Sequence, residues 1–191
     1  MKNLSGIRAT ARQFLRDEFS SSNDYEFADD ELDLHINKVL VEISNVSPYE
    51  VKETIESDGT REIDLSEITG LIGDKVVKVE YPTGNYPPSE LEFSIFGDSL
   101  TLESEPTSGE DICLYCLKVH ELTESSSTLK QGEEEVLVDG TVALAARSWL
   151  NRMRAQIVPA SAKWYHDWAS EHYAIYQKGL DSITPAKGWK Y

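Results

Sequence analysis

Hydrophobic residues recur every three to four positions at both ends of this 191-residue chain and every second position through its middle. That change of period constrains the fold more than any other feature. A 3.6-residue stripe fits one face of a helix, and a two-residue alternation fits one face of a strand. Leu4, Ile7, Ala11, Phe14 and Leu15 make the first helical stripe, and Ser20, Ser21, Ser22, Asn23 and Asp24 interrupt it as a linker. A second helix is expected from near Asp29, with its acids in the positively polarised first turn and Leu32, Ile36, Val39, Leu40 and Ile43 on one face. Pro48 ends it, and the two helices can form an antiparallel pair.

From Tyr49 the alternation takes over. Val51 and Ile55 precede a turn at Asp58 and Gly59, and a short apolar patch follows at Ile63, Leu65, Ile68, Leu71 and Ile72. Val76, Val77, Val79 and Tyr81 read as a strand that Pro82 stops. Leu91, Phe93 and Ile95 alternate up to Gly97 and Asp98, and Leu100 and Leu102 begin the return, which is the pattern of a β-hairpin. Residues 112–119 are apolar on both faces, as in a central strand covered from each side. The middle is therefore a largely antiparallel β-unit.

Helical period returns at Glu133, with Val136, Leu137, Gly140, Ala143, Leu144, Ala145 and Ala146; the small residues let another helix come close. Pro159 separates this helix from a last one running from Ser161 to about Ser182. Trp164, Tyr165, Trp168, Ala169, His172, Tyr173, Ile175, Tyr176 and Leu180 share one side of it. That arc covers about half the circumference, wider than the roughly 100° that a single core contact needs. Trp164, Trp168 and Tyr176 are its expected inward-packing residues.

All four tryptophans lie from Trp149 onward, and beyond Pro185 the chain reads Ala-Lys-Gly-Trp-Lys-Tyr. Large aromatics with few rotatable bonds serve either a filled core or a docking surface. Lys187, Gly188, Trp189, Lys190 and Tyr191 are the candidate docking residues. Rings would fill apolar pockets, lysines would meet acidic groups, and the glycine would let the backbone approach.

The formal charge of −16 argues against holding nucleic-acid phosphates by attraction, which needs a clustered basic surface. A negative wall does suit a channel through which DNA slides without sticking. Cys113 and Cys116 have redox or zinc spacing, but a strand points positions three apart to opposite faces and no second Cys or His pair is suitably spaced. Both are expected to be reduced, buried and unligated, as in a reducing compartment. His35, His120, His166 and His172 are scattered, and Asp29 to Asp33 lacks the spaced ligands and glycine of a calcium loop. No metal or cofactor is expected. Gly-x-Ser-x-Gly, a phosphate-binding glycine loop and His-Glu-x-x-His are all missing, so no catalytic residue is assigned. No apolar run reaches the roughly 20 residues of a membrane span, and charged residues break the stretch from Met1 to Phe19 where an export signal would be apolar.

The segments FADDELDLHINKVLVEIS, SPYEV, VVKVEYPTGNYPPSELEFSIFGDSLTL and LKQGEEEVLVDGTVALAARSWL follow one another in an order that resembles the head-to-tail connector (adaptor) proteins of tailed bacteriophages. An acidic-started helix ends at Ser-Pro, a β-segment intervenes, and a small-residue helix follows, over roughly residues 10 to 180. The long β-unit departs from the shortest members, which are nearly all helical. The resemblance implies a structural virion protein without catalysis: a ring, commonly of twelve subunits, seated beneath the portal in the neck and assembled in the host cytoplasm. The carboxy-terminal segment would reach the portal, the opposite face would receive a tail or stopper protein, and DNA would pass through without specific binding.

The expected fold is α+β. Residues 1–48 and 131–183 supply a bundle of about four helices, 49–130 form the inserted antiparallel β-unit, and 184–191 form an extended docking tail. Two other functions fit the residues. One is a non-catalytic carbohydrate- or protein-binding module using β-unit loops such as Pro82 to Pro88, and the other is a hydrolase whose dispersed carboxylates converge only in three dimensions.

Overall fold

The computed structural model describes residues 1–17, 26–153 and 159–184, apart from the side chains at 74, 159–162, 164 and 165. The serine-rich linker expected at 20–24 lies outside the described residues. The fold is α+β, with four α-helices and antiparallel sheets among the described residues. The chain divides into two compact units. Among the described residues, one is built from those in 1–47 and in the return over 120–184, and the other spans Pro48–Val119.

The helical unit contains α1 (Leu4–Leu15), α2 (Asp29–Val46), α3 (Gln131–Met153) and α4 (Pro159–Ile183). Asn3 caps α1 by accepting from the Gly6 N–H at 2.9 Å, and Asp29, Asp30 and Glu31 occupy the first turn of α2. α3 is the hub: Val136, Leu137, Val138, Gly140, Thr141, Val142, Ala143, Ala145 and Ala146 are buried around most of its circumference. The other three helices pack on it. The α1–α2 pair is therefore indirect, since these two touch each other only slightly and share α3 as their partner. Ile7, Ala11, Ile36, Val39, Leu40, Ile43, Val136, Leu137, Val142 and Tyr176 form the common core.

α1 corrects an expectation. Phe14 is about half exposed, while Arg12 is buried. Arg12 is drawn inward by ion pairs to Asp17 and, at 2.7 Å, to Asp29. Asp17 in turn accepts the backbone N–H groups of Glu26 (2.7 Å) and Phe27 (3.3 Å), so one buried carboxylate ties the end of α1 to the approach to α2.

The return to the helical unit also comes earlier than residue 131. Leu129 is fully buried in the helical core, Leu122 packs beside it, and the Leu4 N–H bonds to the Thr123 carbonyl at 2.9 Å. Two leucines seeking an apolar surface pull residues 120–130 out of the β-unit.

The β-unit consists of β1 (Tyr49–Glu56), β2 (Glu62–Asp64), β3 (Leu71–Glu80), β4 (Phe93–Phe96), β5 (Ser99–Leu102) and β6 (Asp111–Lys118). They form two three-stranded antiparallel sheets, ordered β1-β6-β3 and β2-β5-β4. The central place of β6 matches its two-sided apolar sequence. Leu100 and Leu102 from one sheet meet Val76, Val79, Ile112, Leu114 and Cys116 from the other, so the core lies between the sheets. Phe96 pairs with Ser99 across Gly97 and Asp98, and Gly97 takes the positive φ of +58° that a two-residue hairpin turn requires.

Candidate interaction surfaces

The last helix is seated by two glycines. A Cβ at Gly140 of α3 would lie 2.8 Å from ring carbons of Tyr176 and 2.8 Å from Cγ1 of Val39, and one at Gly179 of α4 would lie 2.8 Å from Cγ2 of Val136. Only hydrogen fits, so α3 and α4 approach closely and the Tyr176 ring fills the gap at 1% exposure. Its hydroxyl donates to Glu42 Oε2 at 2.5 Å. Burial and this carboxylate push the phenol well above its ordinary range, which keeps it a neutral donor.

Trp168 is partly buried against the same core, with its ring 4.6 Å from that of His172 in an edge-on contact. The Trp164 side chain and the docking residues Lys187, Gly188, Trp189, Lys190 and Tyr191 lie outside the described residues. The wide aromatic arc read from the sequence divides in space. Ala169 and Tyr176 are buried, Trp168, His172 and Leu180 are partly covered, and Tyr173 and Ile175 are exposed on opposite flanks of α4.

The helical unit thus keeps apolar side chains that its own core does not use. On α2, Leu34 is 71% exposed and Val41 49%, one above the other on the face turned away from Ile36 and Ile43. On the α1–α4 side, Ile175 is 44% exposed, and His172, one turn earlier, meets the half-exposed ring of Phe14 at 6.2 Å.

His120 marks where the chain rejoins the helical unit. Its backbone N–H donates to Ser44 Oγ at 3.0 Å, and its Nε2 lies 2.8 Å from the Ser47 carbonyl. A carbonyl only accepts, so Nε2 carries a proton and donates. Nδ1 is 3.0 Å from Thr128 Oγ1. Glu133, also buried, accepts from the Ser47 hydroxyl and the Lys130 N–H, both at 2.7 Å. Both crossings of the chain, at Ser47 and His120, are therefore fixed in one polar cluster of the helical unit. The scattered histidines of the sequence gave no sign of it, because its members come from three separate stretches, at 44–47, 120 and 128–133.

The β-unit carries most of the charge. Between residues 48 and 119 there are 16 acids and 5 basic residues, a net −11 of the chain's −16. Glu53, Glu56, Asp58, Glu62, Asp64 and Glu67 line one cleft of about 550 Å³ floored by isoleucines, where Lys118 pairs with Glu53 at 2.5 Å. On the other face of the β1-β6-β3 sheet, Glu80 is buried beneath Lys52 (2.8 Å) and the Tyr115 hydroxyl (2.7 Å), and accepts the Gly84 N–H at 3.3 Å. The two side-chain donors hold its carboxyl at about 2, well below the usual range. The Gly84 contact anchors the loop that presents Tyr86, which is 99% exposed, and Phe96 at the hairpin tip is 92% exposed.

Cys113 and Cys116 are free and buried. Burial raises the Cys116 thiol to about 11. Among the described residues, no group of three or more His, Cys, Asp or Glu side chains is arranged to hold a metal ion, and no helix is long and apolar enough to cross a membrane. Comparison with models of known families and with curated proteins gives no match.

Proposed function

We propose that the chain is a structural head-to-tail adaptor: it forms a ring beneath a portal, couples the portal to a tail or stopper protein, and lines the path of DNA in the neck of a virion. The observation that carries this reading is the helical unit, closed by helices from both ends of the chain around the small-residue helix α3, with the β-unit inserted between them. That is the element order of the resembled family. The charge distribution supports it as well, since a net-acidic surface repels DNA and leaves it free to slide. Docking on the portal is assigned to the segment that follows α4, with Trp189 and Tyr191 as anchors and Lys187 and Lys190 as acid-seeking groups.

Electron-microscopy class averages of the chain mixed with portal test the proposal; closed rings stacked on the portal are expected. Deleting residues 184–191 should leave the melting temperature nearly unchanged and abolish attachment. Unaltered portal affinity of the truncated chain would remove the role given to the tail. A second reading, a non-catalytic binding module, is favoured by Tyr86 and Phe96, which stand free on the β-unit as compact aromatic contacts. A chain that stays monomeric in its functional complex would select that reading.

A further inference from the structure

A ring of identical subunits is built from a heterologous contact, in which two different faces of the subunit meet, whereas a two-fold dimer needs one self-complementary face. The helical unit exposes two different apolar patches, and their flanking charges are complementary. On α2, Asp30, Leu34 and Lys38 stand four residues apart along the outward face, and Val41 extends the row. On α4, Glu171, Ile175 and Lys178 stand four and three residues apart on one flank, and Phe14 of α1 adds its exposed ring nearby. Both rows read acid, apolar, base from the amino end. Laid antiparallel, they place Asp30 opposite Lys178, Leu34 opposite Ile175 and Lys38 opposite Glu171. The spans agree: eight residues on α2 cover about 12 Å and seven on α4 about 10.5 Å at 1.5 Å per residue. Parallel packing would set like charges against each other.

Resting on the adaptor reading, we propose that the α2 face of one copy packs antiparallel on the α4 flank of the next, with Leu34 against Ile175 and the two ion pairs at either end fixing direction and register. The occupant of each patch is a second copy of this chain. Desolvating the leucine and isoleucine supplies the attraction, and the end charges exclude the reversed alignment.

Charge reversal in the full chain tests the pairing, because these side chains are exposed and the fold does not depend on them. Sedimentation velocity at low salt should show Lys38→Glu and Glu171→Lys each weakening self-association by about tenfold or more. The double variant Lys38→Glu/Glu171→Lys restores opposite signs across the contact and should recover wild-type association. A mixture of Leu34→Asp and Ile175→Asp chains, each retaining one sound face, should stop at a heterodimer. If the wild type forms rings and the single reversals assemble equally well, or the double variant fails to recover, this interface is wrong while the ring stands. A wild-type chain that is monomeric even at millimolar concentration overturns both.

Discussion

Replacing Gly140 by alanine tests the close packing of Tyr176 and Val39 on α3. An added Cβ would lie 2.8 Å from Cδ2 and Cε2 of Tyr176 and from Cγ1 of Val39, so it collides with side chains on two helices at once. Overpacking of this kind costs about 1–3 kcal/mol, and two flanking helices place the site near the upper end, about 3 kcal/mol. Alanine's better helix propensity returns about 1 kcal/mol. The net loss is then about 2 kcal/mol, or a fall in Tm of about 4–8 °C for a chain of this size. Gly132, in the same helix, has nothing within 4 Å of its would-be Cβ, so Gly132→Ala should be neutral or slightly stabilising. Tryptophan emission is the suitable probe. No tryptophan lies between residues 48 and 119, while Trp149 and Trp168 sit on α3 and α4. A Gly140→Ala chain melting at or above the Gly132→Ala chain would refute the close approach of α3 to α4.

Other outcomes follow from the same geometry. Tyr176→Ala should cost about 3–5 kcal/mol through the cavity it leaves, and Trp168→Ala, only partly buried, about 2 kcal/mol; urea midpoints followed by fluorescence measure both. Glu80 has a depressed folded-state pKa, so its contribution is fully present above about 4.5 and is lost as pH falls through about 2; Glu80→Gln should lose that part of the acid sensitivity of the β-unit, read by amide exchange between pH 5 and 2. Cys113 and Cys116 should resist alkylation until the chain unfolds, and replacing both by alanine should leave the fold intact; rapid labelling of the native protein would contradict their burial.

Most of the fold was legible because its elements are strongly periodic. The stripe from Leu32 to Ile43, the Phe93–Leu102 hairpin and the two-sided strand at 112–118 each follow from a local repeat. The outward turn of Phe14 was hidden for the opposite reason: polarity ranks phenylalanine inside, but Asp17 beyond the end of α1 and Asp29 at the start of α2 supply Arg12 with partners, and those win. Gly179 also escaped notice, since nothing local distinguishes a glycine facing Val136 from one facing water. The surfaces were less legible than the fold. The sequence showed that the last helix has a wide aromatic arc, but only packing revealed that Tyr176 is consumed by the core while Ile175 is left over. The return at His120 was hidden because the burial of Leu122 and Leu129 depends on helices distant in sequence.

The place of α3 as hub has a consequence for synthesis. α1 and α2 leave the ribosome first, yet the apolar faces of both await a helix that is made only after the entire β-unit. At about 5–20 residues per second, residues 48–119 take roughly 4 to 14 s to appear, long compared with the time in which a small domain folds. The β-unit, whose core among the described residues is drawn from Val51 to Cys116, is ready to fold in that interval. It would then hold Ser47 and His120 near each other before α3 emerges, replacing a long and entropically costly loop closure by a short one. On this view the inserted unit acts as a folding template in cis for the bundle that surrounds it in sequence.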